Sequence, residues 1–251
     1  MHPILLEASF LKIYSYGALV ALAFASAIYY CYKNVAKSGL KLSGEQVLSI
    51  ATFLIIISMV GARLFYVVQY WPDLRGDWAA IFLLKEREGF VFYGGFIFGL
   101  GYLIWYCWQY RLDFWKFMDY IIPAGMLGYA IGRLGCFLNG CCYGARTDLP
   151  WGVIFPHHPG ELRHPTQLYE MLFGLAFFFI LKYWREHKQA FIGQTFLLGI
   201  MAYALERFLV EMVRINPDYG FFTQAQWLSL LLLLGSGYFY WSRAKGHTRG
   251  R

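Results

Sequence analysis

Arginine, glutamate and cysteine side chains sit where this sequence is otherwise most apolar. Residues 132–144 read GRLGCFLNGCCYG, placing Arg133, Cys136, Cys141 and Cys142 at the close of the apolar run IIPAGMLGYAI of 121–131. A second group lies in YALERFLVEMVR, 203–214, where Tyr203, Arg207, Glu211 and Arg214 recur at helical spacing and project from one helix face. An arginine in hydrocarbon costs about 3 kcal/mol or more on insertion scales, so it is normally kept for a partner or a substrate. Guanidinium binds phosphate through two parallel N–H bonds and keeps its charge in a poor solvent. Gly125, Gly128, Gly132 and Gly135 form a stripe beside Arg133 that would let a helix or a lipid headgroup approach the backbone. A glycine-lined recess next to arginines suits a phosphate, which at membrane depth most naturally belongs to a phospholipid. Two readings need no ligand. Arg207 and Glu211 make an i,i+4 ion pair, with the second cation, Arg214, left over, and Arg63 reaches an interface by snorkelling.

The cysteines have several readings. Cys136 is a small apolar filler in a glycine-rich helix end, or it bonds Cys141 or Cys142 and staples that end to the outer cap. A metal site joining these thiols to His157, His158 or His164 lacks a standard ligand spacing, and the expectation is that no metal is bound. Cys31 and Cys107 lie toward the opposite side.

The elements that must position these groups are set by composition. The chain has 251 residues, 59% hydrophobic and 21% aromatic with 15% charged, too apolar for an ordinary soluble domain. An all-α integral membrane protein is expected, with seven spans over 13–32, 48–70, 91–109, 118–135, 168–183, 192–213 and 226–242. Lys33 to Lys41, Arg111 and Lys116, Lys182 to Lys188, and Arg243 to Arg251 cluster at one set of ends, which puts the N-terminus outside and the C-terminus in the cytoplasm. The net charge of +7 is then a topology signal and an attraction to anionic lipid, and calls for no nucleic acid. The start, MHPILLEASF, lacks a basic region and a small-residue cleavage site, so the first span is expected to be retained. Without repeats or linkers, residues 1–251 read as one polytopic domain. An interfacial helix is expected over 74–90, and an irregular outer cap over 145–167, where Pro150, Pro156, Pro159 and Pro165 break any helix. Tyr70, Trp71, Trp105, Trp108, Trp115, Trp151 and Trp241 read as interfacial belts.

GRLGCFLNGCCYG, RHPTQLYE of 163–170, SYG of 15–17, FYGGFIFG of 92–99 and ERFLVEMVR of 206–214 together resemble the prolipoprotein diacylglyceryl transferases, in order and over nearly the whole chain. The resemblance implies an enzyme of the bacterial cytoplasmic membrane with its active site toward the outer face and no cofactor. It moves the diacylglyceryl group of phosphatidylglycerol to the lipobox cysteine of a prolipoprotein signal peptide, makes a thioether and releases glycerol phosphate, the first step of lipoprotein maturation. The family's two essential arginines correspond to Arg133 and Arg207. Tyr16, Asn139 and Gly144 match signature positions, Tyr203, Glu211 and the segment from His164 to Glu170 match positions around the central cavity, and Gly94, Gly95, Gly132 and Gly135 in the matched motifs are expected to bind substrate.

The sequence departs from the family at three positions. Cys136 stands where Asn is common, Cys141 where Glu is common, and Tyr93 replaces the histidine favoured as the base for the incoming thiol. Tyrosine, with an ordinary pKa of about 10, is a poor base at neutral pH. Tyr93 with a lowered pKa, His164 or a water is left to take the proton. Two other classes stay open: a thiol-redox or metal-dependent membrane enzyme built on Cys136, Cys141 and Cys142, and a non-catalytic phospholipid-binding or transport protein.

Overall fold

The computed structural model describes residues 2–8, 11–74, 89–216 and 218–249. It is helical with little sheet. The long helices are α1 (Ser15–Asn34), α2 (Gly44–Gln69), α3 (Phe92–Gln109), α4 (Phe114–Asn139), α5 (Thr166–His187), α6 (Gln194–Glu211) and α7 (Gln224–Arg249). Each overlaps one expected span. Three of them, α1, α2 and α4, are long and apolar enough to cross a membrane. Two short helical segments, Ala36–Ser38 and Trp71–Leu74, and three two-stranded antiparallel pairs complete the described elements: β1 (Ile4–Ala8) with β2 (Leu11–Tyr14), β3 (Val153–Ile154) with β4 (Leu162–Arg163), and β5 (Asp218–Tyr219) with β6 (Phe222–Thr223). The interfacial helix expected over 74–90 falls almost wholly on residues 75–88, which lie outside the described residues.

The apolar and polar faces are arranged as a hydrocarbon solvent demands. Val68, Phe92 and Trp108 are each 75% exposed and Leu234 73%, whereas Thr166, Gln167 and Glu170 have no exposed surface. Such an apolar exterior marks surface meant for lipid rather than for water.

The chain divides into two compact units, one of residues 1–31 and 118–251, the other of residues 32–117. In the second unit, α2 starts with a capping box. Ser43 Oγ accepts from the Gln46 amide at 3.2 Å, and Gln46 Oε1 accepts from the Ser43 amide at 2.8 Å. Helices α2 and α3 cross with their backbones touching, because a Cβ on Gly61 would lie 2.6 Å from the Gly94 carbonyl. Arg63 does not reach an interface alone: its Nη1 donates to the Gly89 carbonyl at 3.0 Å, and its guanidinium lies 5.1 Å from the Tyr66 ring.

The first unit holds the charged motifs. Asp119, 2% exposed on α4, receives the Gly193 amide at 2.6 Å, the Phe196 amide at 2.7 Å and Gln189 Nε2 at 2.5 Å. The carboxylate thereby satisfies unpaired donors at the start of α6 and complements that end of the helix dipole. This contact fixes the depth at which α6 presents Arg207. The cap over 145–167 is more regular than its prolines suggest, because they stand outside the short β3–β4 pairing and Pro165 precedes the first turn of α5. Phe155 is wholly buried beneath the hairpin, 4.8 Å from the Tyr143 ring. Arg163 donates to Glu161 at 2.8 Å, which holds the Glu161 carboxyl below the usual carboxylate range. That contribution to the cap is present above the ordinary glutamate pKa and is lost as pH falls through the lowered one.

Replacing Asp119 by Ala leaves buried amides at the α6 start without an acceptor and should cost about 3 kcal/mol. Thermal unfolding in detergent is expected to show a clear fall for Asp119→Ala, and an unchanged midpoint would mean that the contact does not hold α6.

Candidate functional site: a buried carboxylate shared by three arginines

The site is assembled where the end of α4, the start of α5 and the end of α6 meet. Gly144 closes the motif after α4 and has no room for a side chain. A Cβ there would lie 2.5 Å from the Val213 carbonyl, 2.8 Å from His164 Cβ and 2.9 Å from Thr166 Cγ2. Backbone bonds stitch the three segments together: the Gly144 amide to the His164 carbonyl at 2.9 Å, the His164 amide to the Ala145 carbonyl at 3.0 Å, and the Ala145 amide to the Val213 carbonyl at 2.7 Å. Thr166 Oγ1 donates to the Cys142 carbonyl at 2.7 Å, and Gln167 Nε2 donates to the Cys141 carbonyl.

Glu170, one turn into α5 and fully buried, stands at the centre. Its Oε1 lies 3.1 Å from Arg133 Nη2, 3.7 Å from Arg207 Nη1 and 3.9 Å from Arg214 Nη1. The expected pair within α6 is present, with Arg207 Nη2 at 2.9 Å from Glu211 Oε2. The other Glu211 oxygen accepts from Asn216 Nδ2 at 2.5 Å and from Thr223 Oγ1 at 3.0 Å, so Glu211 is held in place from two sides. A second carboxylate is tied in through Tyr129, whose hydroxyl donates to Glu206 Oε2 at 3.1 Å. The Arg133 guanidinium lies 5.1 Å from the Tyr129 ring, and Tyr203 meets that ring edge-on at 5.7 Å.

Part of the positive charge expected to remain after Arg207 and Glu211 pair is offset by Glu170, a carboxylate that helical spacing could not assign to these arginines. The geometry is nonetheless incomplete. Arg207 Nη1 is buried and has no hydrogen-bond acceptor among the described residues, and neither oxygen of Glu170 receives a bond of good geometry. The cluster thus holds its charges at ion-pair distance without completing the hydrogen bonds of every buried polar atom.

The other expected site residues fall into place unevenly. The stripe on α4 is used on one side only: a Cβ on Gly135 would touch Leu19 Cβ at 3.3 Å and Tyr16 at 3.5 Å, whereas one on Gly132 would meet nothing within 4 Å. Tyr16 and Gly135 are thus neighbours across the α1–α4 contact, and Gly132 leaves space beside Arg133. Asn139 is exposed at the last position of α4. Gly94 and Gly95 face α2, where the Ser58 carbonyl would lie 3.1 Å from a Cβ on Gly95. Tyr93 is 53% exposed at the start of α3, its ring against Phe92. His164 Nδ1 lies 3.3 Å from the Tyr169 hydroxyl, which accepts from Trp151 Nε1 at 2.9 Å. The same histidine borders an apolar groove shared with Leu209, Val210 and Val213.

The sequence model of the family described as Prolipoprotein diacylglyceryl transferase matches residues 3–242. The chain belongs to the prolipoprotein diacylglyceryl transferase family. It is 34% identical to the phosphatidylglycerol–prolipoprotein diacylglyceryl transferase of Clostridium tetani over 93% of this chain and 94% of that protein. It is also 32% identical to the Legionella pneumophila (strain Lens) protein of the same name, over 97% of each chain. For the Vibrio vulnificus protein of that name the identity is 34%, over 94% of this chain and 89% of the other.

Glu170 as a partner of the arginines and Glu206 as a partner of Tyr129 are pairings that sequence reasoning did not single out. Glu170 closes the RHPTQLYE motif and Glu206 precedes Arg207, but nothing in their spacing says which side chain on another helix each would meet. Removing one member of a buried charge group costs about 3 to 5 kcal/mol. Glu170→Ala is therefore expected to lower the thermal midpoint in detergent well beyond the change caused by Tyr93→Phe at an exposed position. Equal midpoints would mean that the arginines do not depend on Glu170.

Proposed function

We propose that the chain catalyses the reaction for which its relatives are named, moving the diacylglyceryl group of phosphatidylglycerol to the cysteine thiol of a prolipoprotein. The observation that carries the reading is the pairing of Arg133 and Arg207, from two helices, around one buried carboxylate, with Arg207 Nη1 lacking a hydrogen-bond acceptor among the described residues. A lipid phosphate supplies the missing oxygens. It competes with Glu170 for the guanidinium groups, and Gly132 provides room beside Arg133 for the glyceryl portion. We take all seven long helices to span the bacterial cytoplasmic membrane as one polytopic body, with the N-terminus and this site toward the outer face. The lysine and arginine clusters at the opposite helix ends support that orientation.

In the reaction the substrate thiol loses its proton and the thiolate attacks the glyceryl carbon that carries the phosphate ester oxygen. The C–S bond forms as the C–O bond breaks, and glycerol phosphate leaves with the bonding pair. Charge builds on the departing phosphate, so Arg133 and Arg207 speed the step only if they hold the leaving group more tightly than the starting diester. Glu211, held by Arg207, Asn216 and Thr223, keeps the Arg207 fork oriented. Tyr129 and Tyr203 stand beside Arg133, and we assign Tyr16 and Asn139, near the end of α4, to binding the lipid. His164 is the better base in this chain. With Nδ1–H donating to the Tyr169 oxygen, Nε2 keeps its lone pair for the thiol proton. A thiol of pKa about 8.5 needs only modest help of this kind.

Transfer of labelled diacylglyceryl from phosphatidylglycerol to a lipobox peptide tests these roles. Arg133→Lys and Arg207→Lys keep the charge that Glu170 requires but lose the planar fork, so the proteins should fold and transfer about 100-fold more slowly. His164→Gln should lower the rate by about 100-fold, whereas Tyr93→Phe should stay within about twofold of the natural protein. Full activity in both lysine variants would reject the clamp. A large loss in Tyr93→Phe with full activity in His164→Gln would move the base to the tyrosine.

A further inference from the structure

The three cysteines that follow Arg133 are not used by the proposed transfer, yet the fold gathers them. The sulfur atoms of Cys136, Cys141 and Cys142 all lie within 4.8 Å of one another, and those of Cys141 and Cys142 are 3.6 Å apart. All three are free thiols. The expected partners from the cap do not join them. His158 lies 3.2 Å from Arg163 Nη2 and His164 pairs with Tyr169, so the cluster consists of sulfur alone among the described residues.

The backbone is bent to produce this convergence. Cys141 closes the helix end, its amide donating to the Cys136 carbonyl at 3.2 Å, after Gly140 has turned the chain at φ +74°. Cys142 itself has φ +66°, a left-handed conformation uncommon for a residue with a side chain. It is held there from outside the motif, by Thr166 Oγ1 at 2.7 Å and Arg214 Nη2 at 3.3 Å on its carbonyl and by Gln167 on the carbonyl of Cys141. Tertiary contacts thus impose a turn that directs the three thiols to one point. A filler role requires no such convergence.

Spacing identifies the ligand chemistry. An ion with metal–sulfur bonds of about 2.3 Å in tetrahedral geometry sets its sulfurs about 3.8 Å apart. A disulfide needs about 2.05 Å and a specific dihedral, and it would use only two of the three sulfurs. Thiolates select soft cations over magnesium or calcium. We propose that Cys136, Cys141 and Cys142 form a three-thiolate site for one soft, thiophilic d10 cation such as Zn2+, with a fourth position open to water. Binding converts three thiols to thiolates and releases up to three protons to solvent for each ion taken up. Three thiolates around a divalent ion carry a net negative charge, which the adjacent Arg214 offsets. The site stands on the geometry of the thiols and does not depend on the transferase assignment.

The test uses the full chain, purified in detergent and reduced without oxygen, titrated with Cd2+ as a spectroscopic stand-in for Zn2+. The ultraviolet thiolate-to-cadmium charge-transfer band is expected to saturate at about one ion per chain, with proton release over the same range. Cys136→Ser and Cys142→Ser should each weaken uptake at least tenfold, whereas the doubly substituted Cys31→Ala, Cys107→Ala protein should bind as the natural one does. Thermal unfolding of every variant shows that folding is retained. No saturable band, or a band that survives replacement of all three cysteines, would reject the site. So would isolation of the protein with a Cys136–Cys141 or Cys136–Cys142 disulfide whose reduced form takes up no cadmium.

Discussion

The buried carboxylate of Glu170 is the interaction on which the first unit is organised. A carboxylate without solvent access is unstable unless cations surround it, and here Arg133, Arg207 and Arg214 do so from two other segments of the chain. The dependence is mutual, because each guanidinium at that depth needs an anion as well. The end of α4, the first turn of α5 and the end of α6 are held together by this shared requirement. Gly144, which admits no Cβ between Val213, His164 and Thr166, is the backbone counterpart of the same constraint.

The rest of the unit serves that arrangement. Asp119, at the other end of α4, fixes the start of α6, so that the height of Arg207 is set from both ends of the helix pair. The cap does its part through main-chain bonds from Gly144 and Ala145 rather than through bulk. The polar interior and the apolar exterior are two sides of one condition: in lipid, apolar side chains gain nothing by turning inward, whereas charged groups must find one another.

The chemical consequence is a buried charged cluster whose hydrogen bonds are not saturated. Were every guanidinium N–H bonded to a protein oxygen, a phosphate would gain little by entering. With Arg207 Nη1 lacking a hydrogen-bond acceptor among the described residues and Glu170 held only at ion-pair distances, the cluster keeps bonding capacity that a complete set of hydrogen bonds would have used up. The three thiols beside this cluster are positioned by some of the same residues, Thr166, Gln167 and Arg214, so the cysteine turn and the arginine cluster form one connected structure.

Much of this was legible in the sequence because it depends on local periodicity. Apolar runs located the seven long helices, helical spacing put Arg207 and Glu211 in contact, and five collinear motifs pointed to the family. The order of the cap was less legible, since Val153–Ile154 and Leu162–Arg163 are too short to show alternation and four prolines mask them. What the sequence could not determine was every contact between helices. The role of Glu170 as the common partner of three arginines, the link from Tyr129 to Glu206, the seating of Gly144 against Val213, and the convergence of Cys136, Cys141 and Cys142 are all such contacts. Spacing along one helix fixes which side chains share a face. Which faces meet, at what depth and with what left unpaired is decided only when the helices pack.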